Sequence, residues 1–193
     1  MNENYIIIKY LVIYYNLMSR VHSNNQPVCC SSPSLQVNLL ERIQYYIQDI
    51  DPNWNYITPP ELYKILATTP RHKLFLVDIR KKEDYLRTGH IPGSINIFWQ
   101  DIFRPENLRK LPCPMHHPEY TIVLICYVGH TSSQTLVLLK LLGFHVVALK
   151  FGMGISPVKE VLIKGWLDYK YPIEFSERIS KFSHDPICHH QCH

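Results

Sequence analysis

Apolar residues change period several times along this chain, and each change marks an element. Thr121 to Ile125 (TIVLI) is an unbroken apolar and β-branched run, which predicts a central strand covered on both faces. Leu136, Leu139 and Leu142 follow at helical spacing, and Gly143 closes that series as a left-handed cap. Leu74–Asp78 (LFLVD) predicts a second buried strand, His145–Leu149 another, and Trp54–Ile57 a short edge strand. Between Leu35 and Ile50, the residues Leu39, Leu40, Ile43, Tyr46, Ile47 and Ile50 share one helical face, which predicts an amphipathic helix packed on the domain. Thr58-Pro59-Pro60-Glu61 reads as a capping box with proline in the first turn, opening a helix through Leu62, Ile65 and Leu66. Residues 98 to 120, punctuated by Pro105, Pro112, Pro114 and Pro118, read as irregular. Strands alternating with helices predict an α/β domain.

At 193 residues the chain suits one such domain with tails. Apolar content of 46% against 19% charged residues is that of a soluble globular protein. The net charge of +4 fits a small anionic substrate. It contains no basic run dense enough to expect a nucleic-acid partner. Six cysteines (Cys29, Cys30, Cys113, Cys126, Cys188 and Cys192) are scattered over the sequence. They do not read as a disulfide framework, so a reducing cytoplasm is expected. Tyr5–Met18 is apolar but interrupted by Lys9 and Asn16, too short and polar for a membrane span and without the marks of a signal peptide. No membrane partner is expected, and Met18-Ser19-Arg20 offers an alternative start. The terminal Cys188-His189-His190-Gln191-Cys192-His193 supplies one ligand cluster where a tetrahedral site draws on two separated pairs, and Met115-His116-His117 has no second pair either, so no metal is expected. The division is then a tail over 1–34, a domain over 35–175 including its amino-terminal helix, and a Cys/His-rich tail over 176–193.

The chemistry concentrates where the strand at Thr121–Ile125 meets the helix that follows. Cys126 stands at the carboxyl end of that strand and faces the amino end of the helix, where backbone N–H groups are unpaired and the helix dipole is positive. Cysteines so placed can have pKa values lowered to roughly 3.5–7.5 and act as nucleophiles. The structural alternative, an inert core cysteine, has equal weight on local sequence alone.

The stretch from Asp78 to Asn96, DIRKKEDYLRTGHIPGSIN, decides between them. It resembles the D-x-R-x-x-x-E/D-Y/F-x-x-G-H-I-P-G-A/S-x-N signature of the rhodanese family of sulfurtransferases, with one residue more than the signature between Tyr85 and Gly89. The resemblance extends over roughly Trp54 to Glu174, with a glycine-containing turn at Lys150–Gly154 and closing segments at Gly165-Trp166-Leu167 and Tyr171-Pro172-Ile173. It implies a doubly wound α/β fold with a central parallel sheet of about five strands flanked by helices. It also implies that Cys126 heads a six-residue loop, takes a sulfane sulfur as a persulfide and passes it to cyanide or a thiol, with no cofactor. Tyr127, Val128, Gly129, His130, Thr131 and Ser132 are then expected to bind the donor, chiefly through backbone N–H groups, with Gly129 letting the loop curl and Ser132 also capping the helix. His130 either adds charge at the mouth or faces solvent. Asp78, Arg80 and His90 are expected to support the fold. Related phosphatases and arsenate reductases use a longer loop ending in arginine, whereas Thr131 and Ser132 stand here, which disfavours phosphoryl chemistry. Some rhodaneses carry cations early in the loop, where this chain has Tyr127 and Val128. The donor (thiosulfate or another persulfide) and the acceptor, a small thiol or a protein, stay open. The competing expectation is a catalytically silent rhodanese-like module that binds a partner.

Overall fold

Parallel strands buried on both faces need apolar residues at every position, and β4 meets that demand. The structure, a computed structural model, describes residues 35–68, 73–154 and 164–182. In chain order the elements are α1 (Leu35–Gln48), β1 (Tyr56–Ile57), α2 (Pro59–Thr68), β2 (Leu74–Asp78), α3 (Lys82–Arg87), β3 (Ile95–Asn96), α4 (Pro105–Leu108), β4 (Thr121–Ile125), α5 (His130–Leu141) and β5 (Val146–Leu149), followed by a 3-10 helix at Trp166–Tyr169. The strands form one five-stranded sheet in the order β1-β5-β4-β2-β3, parallel throughout. This is the doubly wound α/β fold with a five-stranded parallel sheet that the resemblance implies.

Side chains alternate across β2 and β4 and so build two cores. Phe75, Val77, Ile122, Leu124 and Cys126 face one side, where Leu136 and Leu139 of α5 cover them. Leu76, Val123 and Ile125 face the other, beneath Leu62 of α2 and Trp166 of the 3-10 helix. Pairing of β2 with β4 runs in register from Leu74 opposite Thr121 to Asp78 opposite Ile125. From β2 the chain moves outward to β3, whereas from β4 it moves the opposite way to β5. The carboxyl ends of β2 and β4 therefore flank the topological switch point, where open α/β sheets bind ligands.

Four of the five strands are visible as apolar runs. β3 is two residues long and too short to show a period. The edge strand is shorter than its apolar run, because Trp54 and Asn55 both lie at φ 58° in a turn and only Tyr56–Ile57 pairs with β5. The capping box forms as read: Thr58 N–H donates to Glu61 Oε2 at 2.8 Å, and Glu61 N–H to Thr58 Oγ1 at 3.4 Å. Gly143 is left-handed, φ 90°, as a helix terminator should be. Residues 105–108 add one helical turn inside the segment read as irregular.

Two expectations need correction. The apolar face of α1 is broader than its contact: Tyr46 packs on the core, while Leu40 and Ile47 are 64% and 57% exposed and Leu39 is exposed as well. A single helix–helix contact covers only a narrow stripe of a helix surface. Cys113 is disulfide-bonded, against the expectation drawn from cysteine usage. Cys126 is a free thiol. Among the described residues no helix is long and apolar enough to cross a membrane, and no three metal-ligating side chains cluster. The Cys188–His193 cluster, Tyr5–Met18 and the alternative start lie outside the described residues.

The Asp78–Asn96 stretch is held by charge pairing inside the protein. Asp78 and Arg80 are both fully buried. The guanidinium meets the carboxylate through Nε at 3.0 and 3.1 Å and Nη2 at 2.7 Å, while Nη1 donates to Thr88 Oγ1 and Nη2 also to the Gly89 carbonyl. Burial pushes the Asp78 carboxyl above the ordinary range, and Arg80 opposes that push. His90 is buried flat against the Tyr85 ring, 3.6 Å between centroids, with Nδ1 3.1 Å from the Tyr85 carbonyl. Its backbone exchanges two 2.9 Å hydrogen bonds with Glu174, pinning the closing segment.

Removing one partner of a buried ion pair leaves an uncompensated charge and costs about 3–5 kcal/mol. Arg80→Met should therefore lower the urea unfolding free energy by about that amount, and Asp78→Asn in the same background should restore part of it. Equal loss from the two changes together and separately added would show that the residues do not interact. Glu174 supplies a pH signature. Hydrogen bonds from Arg178, then from the Gly93 N–H, hold its carboxyl down at about 2. A depressed carboxylate stabilises the fold above its unfolded value, roughly 4.3, and that contribution is lost as pH falls toward the folded value. Thermal midpoints should thus fall more steeply between about pH 4.5 and 2 in wild type than in Glu174→Gln.

Candidate active site

Cys126 directly follows the last paired residue of β4, and the pairing holds up to it because Ile79 N–H donates to the Ile125 carbonyl at 2.8 Å. Its side chain continues the alternation of Ile122 and Leu124 and is only 2% exposed. The chain must then turn from strand to helix within three residues, since α5 begins at His130. Gly129 makes that turn at φ 99°, a left-handed conformation that glycine adopts at least cost. The turn directs Gly129 N–H at Cys126 Sγ, 3.1 Å away. A backbone donor and the amino end of α5 thereby meet at the sulfur.

Three anchored carbonyls fix the rest of the loop. Met153 N–H binds the Cys126 carbonyl at 2.8 Å, and Gly154 N–H binds the Tyr127 carbonyl at 3.0 Å. The Gly129 carbonyl accepts from Ser132 Oγ at 3.0 Å and Ser133 Oγ at 2.5 Å, with Tyr56 OH in turn 2.6 Å from Ser133 Oγ. In a trans peptide the N–H points opposite to the C=O. The anchors therefore set the directions of the Tyr127, Val128 and His130 N–H groups. Gly152 forms the wall behind the loop: a Cβ there would lie 2.2 Å from the Cys126 carbonyl oxygen.

The side chains divide by role. Ser132 does not cap α5: the N-cap is Gly129, and no side-chain cap bond forms. Because the helix starts earlier than read, Ser132 falls inside the first turn, where its buried hydroxyl bonds the Gly129 carbonyl and receives the Cys126 thiol at 3.4 Å. Thr131 and Val128 are half-buried and His130 is exposed to solvent. Tyr127 turns out of the loop altogether. Its hydroxyl donates to Asp84 Oδ2 at 2.5 Å, and the Arg80 guanidinium lies 5.9 Å from its ring centre. Burial, then the bond to Asp84, pushes the phenol up to about 12. Asp78 and Arg80 thus reach the loop only through Tyr127, and His90 stays in its own buried stack with Tyr85. Cavities of about 280 and 180 Å³ lie elsewhere, and no residue of the 126–132 loop lines either of them.

Sequence reasoning missed Gly152 as the wall and Asp84 as the partner of Tyr127. Gly152 was visible as a glycine in a turn, but its approach to Cys126 is a tertiary fact. Nothing in the local pattern marks Asp84 among the charged residues of α3.

The family model for the rhodanese-like domain matches residues 58–154, half of the chain. This chain belongs to that family. Among curated relatives, a thiosulfate sulfurtransferase of Corynebacterium glutamicum is 40% identical over 70 residues, 32% of this chain and 23% of that protein. A TBC domain-containing protein kinase-like protein of Mus musculus is 38% identical over 80 residues, 41% of this chain and 8% of that protein. The chain spans less than a quarter of the length of either. A rhodanese-related protein of Thermoplasma volcanium, solved by crystallography, is 20% identical with a TM-score of 0.48, over 63% of this chain and 98% of that one.

The rhodanese loop of this chain depends on the closeness of Gly152. Since a Cβ at that position meets backbone rather than a movable side chain, Gly152→Ala must displace the loop. Gly152→Ala should change the rate of Cys126 alkylation at least tenfold and lower the melting temperature; an unchanged alkylation rate would show that the turn at 152 does not shape the loop.

Proposed function

We propose that this rhodanese-family chain is a sulfurtransferase in which Cys126 carries the sulfur as a persulfide. The observation that carries this reading is the Cys126 Sγ at the carboxyl end of β4, 3.1 Å from the Gly129 N–H, beside the switch point between β4 and β2. In the forward half-reaction the Cys126 thiolate attacks the outer sulfur of thiosulfate or of another persulfide. The new Cys–S bond forms as the donor S–S bond breaks, and sulfite or a thiolate leaves with the electron pair. The persulfide anion extends one S–S length, about 2.05 Å, beyond Sγ. There the N–H groups of Tyr127, Val128, Gly129, His130 and Thr131 form the cradle that holds its charge, and the Ser132 hydroxyl, which donates to the Gly129 carbonyl, braces the loop. Cyanide or a thiol then attacks the terminal sulfur and returns the Cys126 thiolate. The transfer as written consumes no cofactor.

A small anionic donor suits such a backbone cradle, and the acceptor is a small thiophile or a protein thiol. Phosphoryl transfer is disfavoured, because Thr131 and Ser132 provide no bidentate cation for a phosphoryl oxyanion. The Cys113 disulfide weakens the expectation of a reducing cytoplasm. A partner-binding module without chemistry is the second reading, favoured by the near-complete burial of the thiol.

Intact-mass measurement separates these readings. After incubation with thiosulfate or a glutathione persulfide, wild type should gain one sulfur atom that cyanide removes, and Cys126→Ser should gain none. Aryl phosphate hydrolysis should stay at the buffer rate for both proteins. Absence of loading in wild type with every donor would favour the silent module, and Cys126-dependent phosphate release would overturn the sulfur-transfer reading.

A further inference from the structure

Resting on the sulfurtransferase reading, we propose that Tyr127 and Asp84 form a tether that positions the Cys126 loop for sulfur transfer. Tyr127 is the residue next to the nucleophile, so its backbone torsions govern both the setting of Sγ and the aim of the following N–H groups. It is restrained from two directions. The Gly154 N–H holds its carbonyl at 3.0 Å, and its hydroxyl is held on α3, donating to Asp84 Oδ2 at 2.5 Å. Asp84 is fixed in turn, since Arg87 Nη2 donates to its other carboxylate oxygen at 2.6 Å and its carbonyl accepts from Thr88 Oγ1 at 2.7 Å. Arg80, clamped on Asp78, lies over the ring.

The tether therefore joins α3 and the buried ion pair to the one loop that must hold the same negative charge at two positions. Between the resting thiolate and the persulfide, the negative charge moves outward by one sulfur–sulfur bond, about 2.05 Å. A loop free to relax around either position would lose the preorganised donors that such a cradle offers. No other side chain of the 126–131 segment reaches another helix through a described hydrogen bond, so Tyr127 is the side-chain anchor on that flank. It acts through the loop and touches no reacting atom: it is a positioning residue.

The test compares Tyr127→Phe, Asp84→Ala, Asp84→Asn and the Tyr127→Phe/Asp84→Ala pair with wild type, using thiosulfate and cyanide. Tyr127→Phe and Asp84→Ala should each lower kcat about tenfold with KM changed less than twofold. The pair should lose no more than either alone, because both changes cut the same bond. Asp84→Asn keeps an acceptor for the Tyr127 hydroxyl and should recover most of the loss seen in Asp84→Ala. Cys126 alkylation, followed by peptide mass, should shift in parallel with kcat across the series, while melting temperatures stay within a few degrees. A kcat within twofold of wild type for Tyr127→Phe, or multiplicative losses in the pair, would overturn the tether. If wild type takes up no sulfur from any donor, the sulfurtransferase reading fails, and the alkylation series alone still decides whether the tether sets the loop.

Discussion

Everything at the site depends on the in-register pairing of β2 with β4. Because Asp78 lies opposite Ile125, the signature stretch and the cysteine loop leave the sheet side by side. A slip of one residue would turn Cys126 from one core to the other, since side chains alternate along a strand. Burial enforces the register: Ile122–Ile125 are covered on both faces.

Turning a buried strand into a helix exposes backbone groups that have no local partners. This protein satisfies them with other backbone. The Gly152–Gly154 turn receives the Cys126 and Tyr127 carbonyls, and Gly129 sends its N–H to the sulfur. Such a site owes little to side-chain charge near the cysteine. The ion pairs on this side of the molecule, Arg80 with Asp78 and Asp84 with Arg87, stand behind the loop or on its flank, and Tyr127 contacts both.

Much of this was legible in advance because the signals were local. The apolar runs of β2 and β4 were long enough to be read, and the capping box at Thr58–Glu61 depends on residues three apart. The position of Cys126 followed from a strand pattern meeting a helix pattern. The illegible parts were of two physical kinds. Some were too short to carry a period, as with β3 and the helical turn at 105–108. Others depended on distant contacts: Leu40 and Ile47 share a helical stripe with Tyr46, but only the geometry of docking against α5 decides which of them is covered. Ser132 does not cap for a related reason, since the left-handed turn at Gly129 starts the helix at His130, two residues before the serine.

The sequence by itself determined the alternation of strands and helices, the two buried runs and the cysteine between strand and helix, because these depend on the order and period of neighbouring residues. Tertiary structure alone decided what surrounds that cysteine. Gly152 comes from 26 residues downstream of Cys126 and Asp84 from 43 upstream of Tyr127. Contacts across such separations arise from the sheet order, which brings β2, β4 and the segment after β5 to one edge. No local pattern of residues encodes that meeting.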